Sequence, residues 1–225
     1  MTHVLFDFFG TLVSYSPSRT AQGYPRSHAL VPHLAYPSFL TLVDTVGTEF
    51  DRRSDVDDRE FSMAAVAAEV LRRAHGRPPD PAEVAAFETA YLDEWSSGVV
   101  QLAGLPGLLA SLRARHRLAV VSNTHSPSMV PDLLDTMGVA DLFDAVVLSV
   151  DVGRRKPHPA MYRAALTALS CRPADAVFVG DTFDADYAGP TAAGIPAYLI
   201  DPAGAADVPA DRRLASVFDL PDRLS

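Results

Sequence analysis

The chain has 225 residues, 48% of them hydrophobic, which is enough for a sizeable core in one large domain or in a domain carrying an insertion. A formal net charge of −9 and an isoelectric point near 5.1 argue against a nucleic-acid partner, because nonspecific affinity for a phosphate backbone comes from clustered Lys and Arg. The lone cysteine, Cys171, excludes an internal disulfide and leaves no thiol pair for structural zinc, so it reads as a buried or inert thiol.

Met-Thr-His leads straight into an apolar run, with no basic segment followed by a long hydrophobic stretch. Neither a signal peptide nor a membrane span is expected, and a cytoplasmic location follows. The run Val4-Leu5-Phe6 reads as a buried parallel strand that stops at Asp7, with Gly10 and Thr11 close behind where the backbone must turn. An acid in that position can serve chemistry or merely cap the turn. From Ser14 to about His33 the chain is rich in Ser, Pro, Tyr, Gly and Arg and reads as loop. Three segments then show helical periodicity: Phe39 to Phe50, Phe61 to Ala74, and Pro81 to Trp95. Gly76 ends the second, and Asp80-Pro81 supplies an N-cap and a first-turn proline for the third. A structureless loop of such length is implausible, so residues 16–95 are expected to form a helical cap domain inserted into a core of residues 1–15 and 96–225.

Beyond Gly104 helices and strands alternate. Helices are expected over Leu105–Arg115, Pro127–Met137, Pro159–Leu169 and about Asp184 to Ala193; strands over Leu118–Ser122, Ala145–Ser149, Ala176–Gly180 and Ile195–Ile200. At most one short strand is expected in the tail, near Ser216 to Phe218. Repeated βα units with short apolar strands predict an α/β fold, a doubly wound, Rossmann-like parallel sheet covered by helices on both faces.

Three strands end alike, at Asp7, at Ser122-Asn123 and at Gly180-Asp181. In a parallel sheet those ends share one rim, so Asp7, Ser122 and Asp181 are expected to converge. Asp184 reads as a helix cap, whereas Asp181 and Asp186 beside Asp7 concentrate negative charge and call for a cation, with Mg²⁺ the natural fit to hard carboxylate oxygens. Lys156, the only lysine in the chain, precedes a proline at a strand-to-helix junction, where its ammonium can meet both the carboxylates and an anionic substrate.

Together these residues resemble the haloacid dehalogenase superfamily of aspartate-nucleophile hydrolases. Its strand-DxDGT motif looks like Asp7-Phe8-Phe9-Gly10-Thr11, its strand-end Ser or Thr matches Ser122, its lysine matches Lys156 in Arg155-Lys156-Pro157, and its acidic motif matches Gly180-Asp181 with Asp186. The resemblance implies that Asp7 attacks a phosphoryl group to give an aspartyl intermediate. It also implies Mg²⁺ held by Asp7, the Phe9 backbone carbonyl, Asp181 and Asp186, with Ser122, Thr11 and Lys156 on the phosphoryl oxygens. Arg19, Arg26, His28 and His33 are candidate cap-side contacts to a small anionic substrate; the chain is expected to act as a monomer or homodimer.

Phe9 departs from the pattern. The family's phosphatases carry there a second Asp that protonates the leaving group, a function worth about 10²–10⁴-fold; His125 is the nearest candidate replacement by sequence. Three readings stay open: a magnesium-dependent phosphohydrolase of a small phosphorylated metabolite with an easy leaving group or a substitute acid; a metal-free 2-haloacid dehalogenase, with Lys156, Ser122, Asn123 and Arg19 or Arg26 around carboxylate and halide; and a catalytically weak binding or regulatory protein.

Overall fold

The structure is a computed structural model, and it describes residues 2–16 and 23–224. The chain divides into two compact units, one made of Met1–Ser14 and Val100–Ser225, the other of Tyr15–Val99. The second unit is slightly longer than the expected insertion of residues 16–95. The chain leaves the first unit along strand β2, Val13–Tyr15, and returns along β3, Val99–Gln101, and these two short strands pair with each other.

The first unit holds a six-stranded parallel sheet. Its strands are β1, His3–Phe6; β4, Arg117–Ser122; β5, Ala145–Leu148; β6, Ala176–Gly180; β7, Ala197–Ile200; and β8, Arg213–Leu214, in the order β5-β4-β1-β6-β7-β8. β1 is central, with Phe6 paired to Val120 on one side and Val179 on the other. The chain steps outward through β4 and β5 and then returns to the opposite side of β1, so the reversal that opens a ligand crevice falls at the strand ending in Asp7. Strands in this position are covered on both faces and need continuous apolar sequence, as Val4-Leu5-Phe6 and Val177-Phe178-Val179 supply. On one face Leu5, Ala119, Val121 and Phe178 meet Met161, Tyr162, Ala165 and Leu169 of the helix Pro159–Leu169. Each large side chain so buried stabilises the sheet by about 1.5–3 kcal/mol.

The second unit is helical, with long helices over Tyr36–Asp57, Met63–His75 and Pro81–Ser96. Phe39, Val46, Met63, Val66, Val70, Leu71 and Phe87 form its core. Ser62 caps one helix by accepting from the Ala65 N–H, and Asp80 with Glu83 forms a capping box on the next. Gly76 closes the middle helix at φ +66°, in the left-handed region that favours glycine.

Besides the unexpected strands β2 and β3 and a short helix, Ser149–Val152, three segments differ from expectation. Pro25–His28 forms a helical turn within the stretch read as loop, with proline preset at its first position. The short C-terminal strand lies at Arg213–Leu214 beside β7, and the Ser216 to Phe218 segment instead opens a 3₁₀ helix, Val217–Arg223, because Ser216 and Asp219 cap it reciprocally. The helix expected from Asp184 begins as a π-helical turn, Phe183–Ala188, followed by a short α-helix, Gly189–Ala192. Pro190 accounts for the widening, since in a continuous α-helix its ring would collide with the carbonyl of Asp186.

Candidate active site

At the carboxyl rim of the sheet, side chains from three strand ends meet. Asp7 follows β1, and its backbone N–H donates to Val179 of β6 at 2.9 Å, which fixes the turn in register with that strand. Its Oδ1 accepts from Lys156 Nζ at 2.7 Å, while Oδ2 takes a longer bond from Thr11 Oγ1 at 3.4 Å. The same ammonium donates to Asp186 Oδ1 at 2.7 Å and stands 5.1 Å from the centre of the Phe178 ring. Asp186 is held from its other oxygen by the Thr182 N–H at 2.9 Å. Asp181 lies next to Gly10, which has φ +82°, and a β-carbon there would strike the Asp181 carboxylate. Gly180 makes room for Asp186 in the same way. The glycines therefore let two carboxylates approach the backbone more closely than any other residue would permit.

Burial sets the electrostatics. It pushes the Asp7 carboxyl up from the usual carboxylate range, to about 7, against the opposing pull of Lys156, and Asp186 adds to the rise. Asp181, exposed on one side, is also raised, by partial desolvation and then by the Asp186 charge. For Lys156 burial works against the charge, but Asp186 and Asp7 outweigh it and the amine is raised. One ammonium thus pairs with two of the three carboxylates, and the fully ionised cluster is two positive charges short. Oxygens of Asp7, Asp181 and Asp186 lie within 4.8 Å of one another, the one such group among the described residues. Hard oxygen donors around a deficit of two charges fit Mg²⁺. Phe9, half-buried on the same turn, packs its ring edge-on against Phe8 with centroids 4.9 Å apart.

Ser122 and Asn123 occupy the neighbouring strand end. Ser122 is fully buried, and its hydroxyl donates to the Asn123 carbonyl at 3.4 Å. Asn123 uses both ends of its amide on Lys156: Oδ1 accepts from the Lys156 N–H at 2.7 Å, and Nδ2 donates to the Lys156 carbonyl at 3.0 Å. Those bonds clamp the loop that carries the ammonium. One residue on, the Thr124 N–H donates to Ser149 Oγ at 2.8 Å, tying this loop to the end of β5. His125 is half-buried on the same loop.

The structure therefore brings Asp7, Thr11, Lys156, Asp181 and Asp186 together, with Ser122 and Asn123 beside them. The candidate contacts from the helical unit are engaged within it. Arg26 pairs with Asp93 at 3.1 Å, and the His28 and His33 side chains each donate from Nε2, at 2.8 Å, to the carbonyls of Leu34 and Ala74. Arg19 lies outside the described residues. Two contributors escaped the sequence reading: Phe178 beneath the ammonium, and Tyr162, whose hydroxyl donates to the Ala185 carbonyl at 2.7 Å inside the turn that carries Asp186. In sequence each looks like an ordinary core aromatic, and Pro190 is the one residue that marks the turn as needing outside support.

Sheet order and the charged cluster at its carboxyl rim define a doubly wound α/β protein. The family model described as haloacid dehalogenase-like hydrolase matches residues 1–194, and the chain belongs to that family of hydrolases. A ribulose-1,5-bisphosphate 5-phosphatase of Halopiger xanaduensis is 27% identical over 213 residues, spanning 92% of this chain and 87% of the relative. Among solved structures, a 2-haloacid dehalogenase of Pseudomonas syringae pv. Tomato superposes with a TM-score of 0.72 at 24% identity, covering 100% of this chain and 98% of the other. A HAD phosphatase of Thermococcus onnurineus does so with a TM-score of 0.69 at 23% identity and the same coverage. At such identities the two structures speak to the fold. No helix among the described residues is long and apolar enough to cross a membrane.

Proposed function

We propose that the protein is a magnesium-dependent phosphohydrolase acting on a small anionic phosphorylated substrate whose leaving group departs without a proton. The observation that carries this reading is the set of three clustered carboxylates, only two of which pair with the single buried ammonium. Mg²⁺ held by Asp7, Asp181, Asp186 and the Phe9 carbonyl would supply the missing positive charge between nucleophile and phosphate. Asp7 must be ionised to attack, and the Lys156 ammonium favours that state. A carboxylate oxygen of Asp7 bonds to phosphorus as the bond to the leaving oxygen breaks, and the leaving group takes that electron pair. Water then attacks phosphorus of the aspartyl-phosphate, giving its proton to a phosphoryl oxygen, and the bond from phosphorus to Asp7 breaks to free dihydrogen phosphate and the Asp7 carboxylate. Lys156, Ser122 and Thr11 hold the phosphoryl oxygens in this scheme.

Phe9 narrows the substrate. Without a carboxylic acid at that position a poor leaving group is not protonated, whereas an acyl phosphate departs as a stable carboxylate. The kinship with a phosphatase supports the phosphate class, and the helical unit is the proposed source of specificity contacts. A cytoplasmic monomer or homodimer belongs to the same reading. Phe9 also favours a second one, metal-free dehalogenation of a 2-haloacid, since a halide leaves without a proton; Asp181 weighs against it, having no task there.

Acyl phosphates, phosphate esters and 2-chloropropionate, each assayed with Mg²⁺ and with EDTA, separate the two. Phosphate release is expected only with Mg²⁺, and Asp7→Asn should reduce it to background. Halide release that persists in EDTA would replace the phosphohydrolase reading with the dehalogenase.

A further inference from the structure

We propose that Tyr162 is a positioning residue that acts through the π-helical turn on Asp186, holding that carboxylate against Lys156. The turn Phe183–Ala188 leaves one carbonyl without the backbone donors a helix would provide. In an α-helix the Gly189 N–H would donate to Ala185; here it donates to Asp184, one residue further back. A π-helical bond to Ala185 would come from residue 190, which is proline and has no N–H.

Tyr162 supplies the substitute. Its side chain is fully buried in the sheet core, with the ring edge-on to Phe178 at 5.8 Å, and its hydroxyl donates to the Ala185 carbonyl at 2.7 Å. Gly189 completes the arrangement, because a β-carbon there would collide with the Tyr162 hydroxyl. The residue after Ala185 is Asp186, 1% exposed, with one oxygen on Lys156 and the other on the Thr182 N–H. An unsatisfied buried carbonyl beside it would draw the turn toward another hydrogen-bonding pattern and carry Asp186 with it. Tyr162, Gly189 and Pro190 thus form one device: the proline forbids the α-helical register, the glycine leaves space, and the phenol satisfies the carbonyl that the other two leave open.

Lys156 reports on this device directly, because it is the only lysine in the chain. Paired and buried, its amine reacts with an amine-selective reagent only when the pairing opens. Peptide mapping after timed treatment with acetic anhydride separates it from the terminal amine. In Tyr162→Phe, which keeps the ring and removes the hydroxyl, Lys156 should label about tenfold faster, the size expected for one buried hydrogen bond left unmade. Pro190→Ala restores an N–H five residues after Ala185, so the double variant Tyr162→Phe/Pro190→Ala should label at a rate back near that of the wild type.

An unchanged rate in Tyr162→Phe overturns the proposal. So does a faster rate that Pro190→Ala fails to reverse, which would mean that the hydroxyl does not act through the Ala185 carbonyl. On an acyl phosphate with Mg²⁺, kcat should fall and recover across the same variants while KM stays level. That last comparison rests on the phosphohydrolase reading; if the wild type turns over no phosphate, that reading fails while the labelling rates still decide the role of Tyr162.

Discussion

Around Lys156 the first unit buries its charges, leaving the lysine 4%, Asp7 8% and Asp186 1% exposed, whereas the ion pairs of the helical unit are half-buried or exposed. Arg72, 53% exposed at its side chain, and Arg73 share Glu69, and Arg73 also reaches Glu49 at 2.6 Å. Pairs of the second kind contribute about 0–1 kcal/mol each and link helices without specifying chemistry. Pairs of the first kind cost desolvation that their mutual attraction barely offsets, so stability alone gives little reason to bury them. That asymmetry supports the proposal that the chemistry lies in the first unit and that the second unit's ion pairs serve helix packing.

Removing one charge from each network exposes the contrast most strongly. Lys156→Met leaves Asp7 and Asp186 buried and facing each other, and should destabilise the protein by about 3–5 kcal/mol at pH 7 in urea denaturation. Burial already raises the Asp7 carboxyl to about 7 with the lysine present. Without the lysine the carboxyl rises further, and protonation relieves the repulsion, so the deficit should shrink as pH is lowered toward 5. Phosphohydrolase activity should be lost at every pH. A deficit below about 1 kcal/mol would place the buried network in the same energetic class as the surface pairs.

Adding a charge to the first unit tests whether its acidity is tuned for catalysis. Phe9→Asp places a fourth carboxylate two residues beyond the nucleophile. On an alkyl phosphate ester with Mg²⁺, kcat/KM should rise by as much as about 10²–10⁴-fold, with a smaller gain on an acyl phosphate. No gain on the alkyl ester would mean that the pocket around Phe9 has been rebuilt for a different leaving group.

What the sequence makes legible follows the range of the forces involved. Buried strands and capped helices are written in local pattern: Ala176–Gly180 and Pro159–Leu169 fall where the apolar runs and proline place them, and Asp80 forms the cap its spacing predicts. Parallel pairing then brings Asp7, Ser122 and Asp181 to one rim, a consequence of topology that three matching strand ends already imply. The Asn123 clamp is different in kind, because a polar residue at a strand end is equally suited to substrate, whereas in the folded protein both amide atoms are spent on a backbone 33 residues away. The bond from Tyr162 to Ala185 is hidden for a related reason: a buried tyrosine in a helix facing a sheet is ordinary, and its partner is a carbonyl, which leaves no mark in the sequence. The pairing of β2 with β3 joins segments more than 80 residues apart, and three-residue strands carry too little periodicity to announce themselves.

The smallest effect belongs to the helical unit and carries a definite sign. Hydrogen bonds from Arg72 at 2.7 Å and Arg73 at 2.6 Å lower the Glu69 carboxyl to about 2. Its folded value lies below its ordinary one, so the folded state holds fewer protons between the two, and the stabilisation is complete above about pH 4.5 and lost as pH falls toward 2. Glu69→Gln should therefore cost no more than about 1 kcal/mol at pH 7, with urea midpoints of variant and wild type drawing together from pH 5 to pH 3. Salt should narrow the gap as well, since exposed guanidinium groups are screened. Lys156→Met at pH 7 should respond little to the same salt, because its partners are shielded from water. If the two variants responded alike to salt, the division between a buried cluster held for chemistry and a surface network held for packing would not stand.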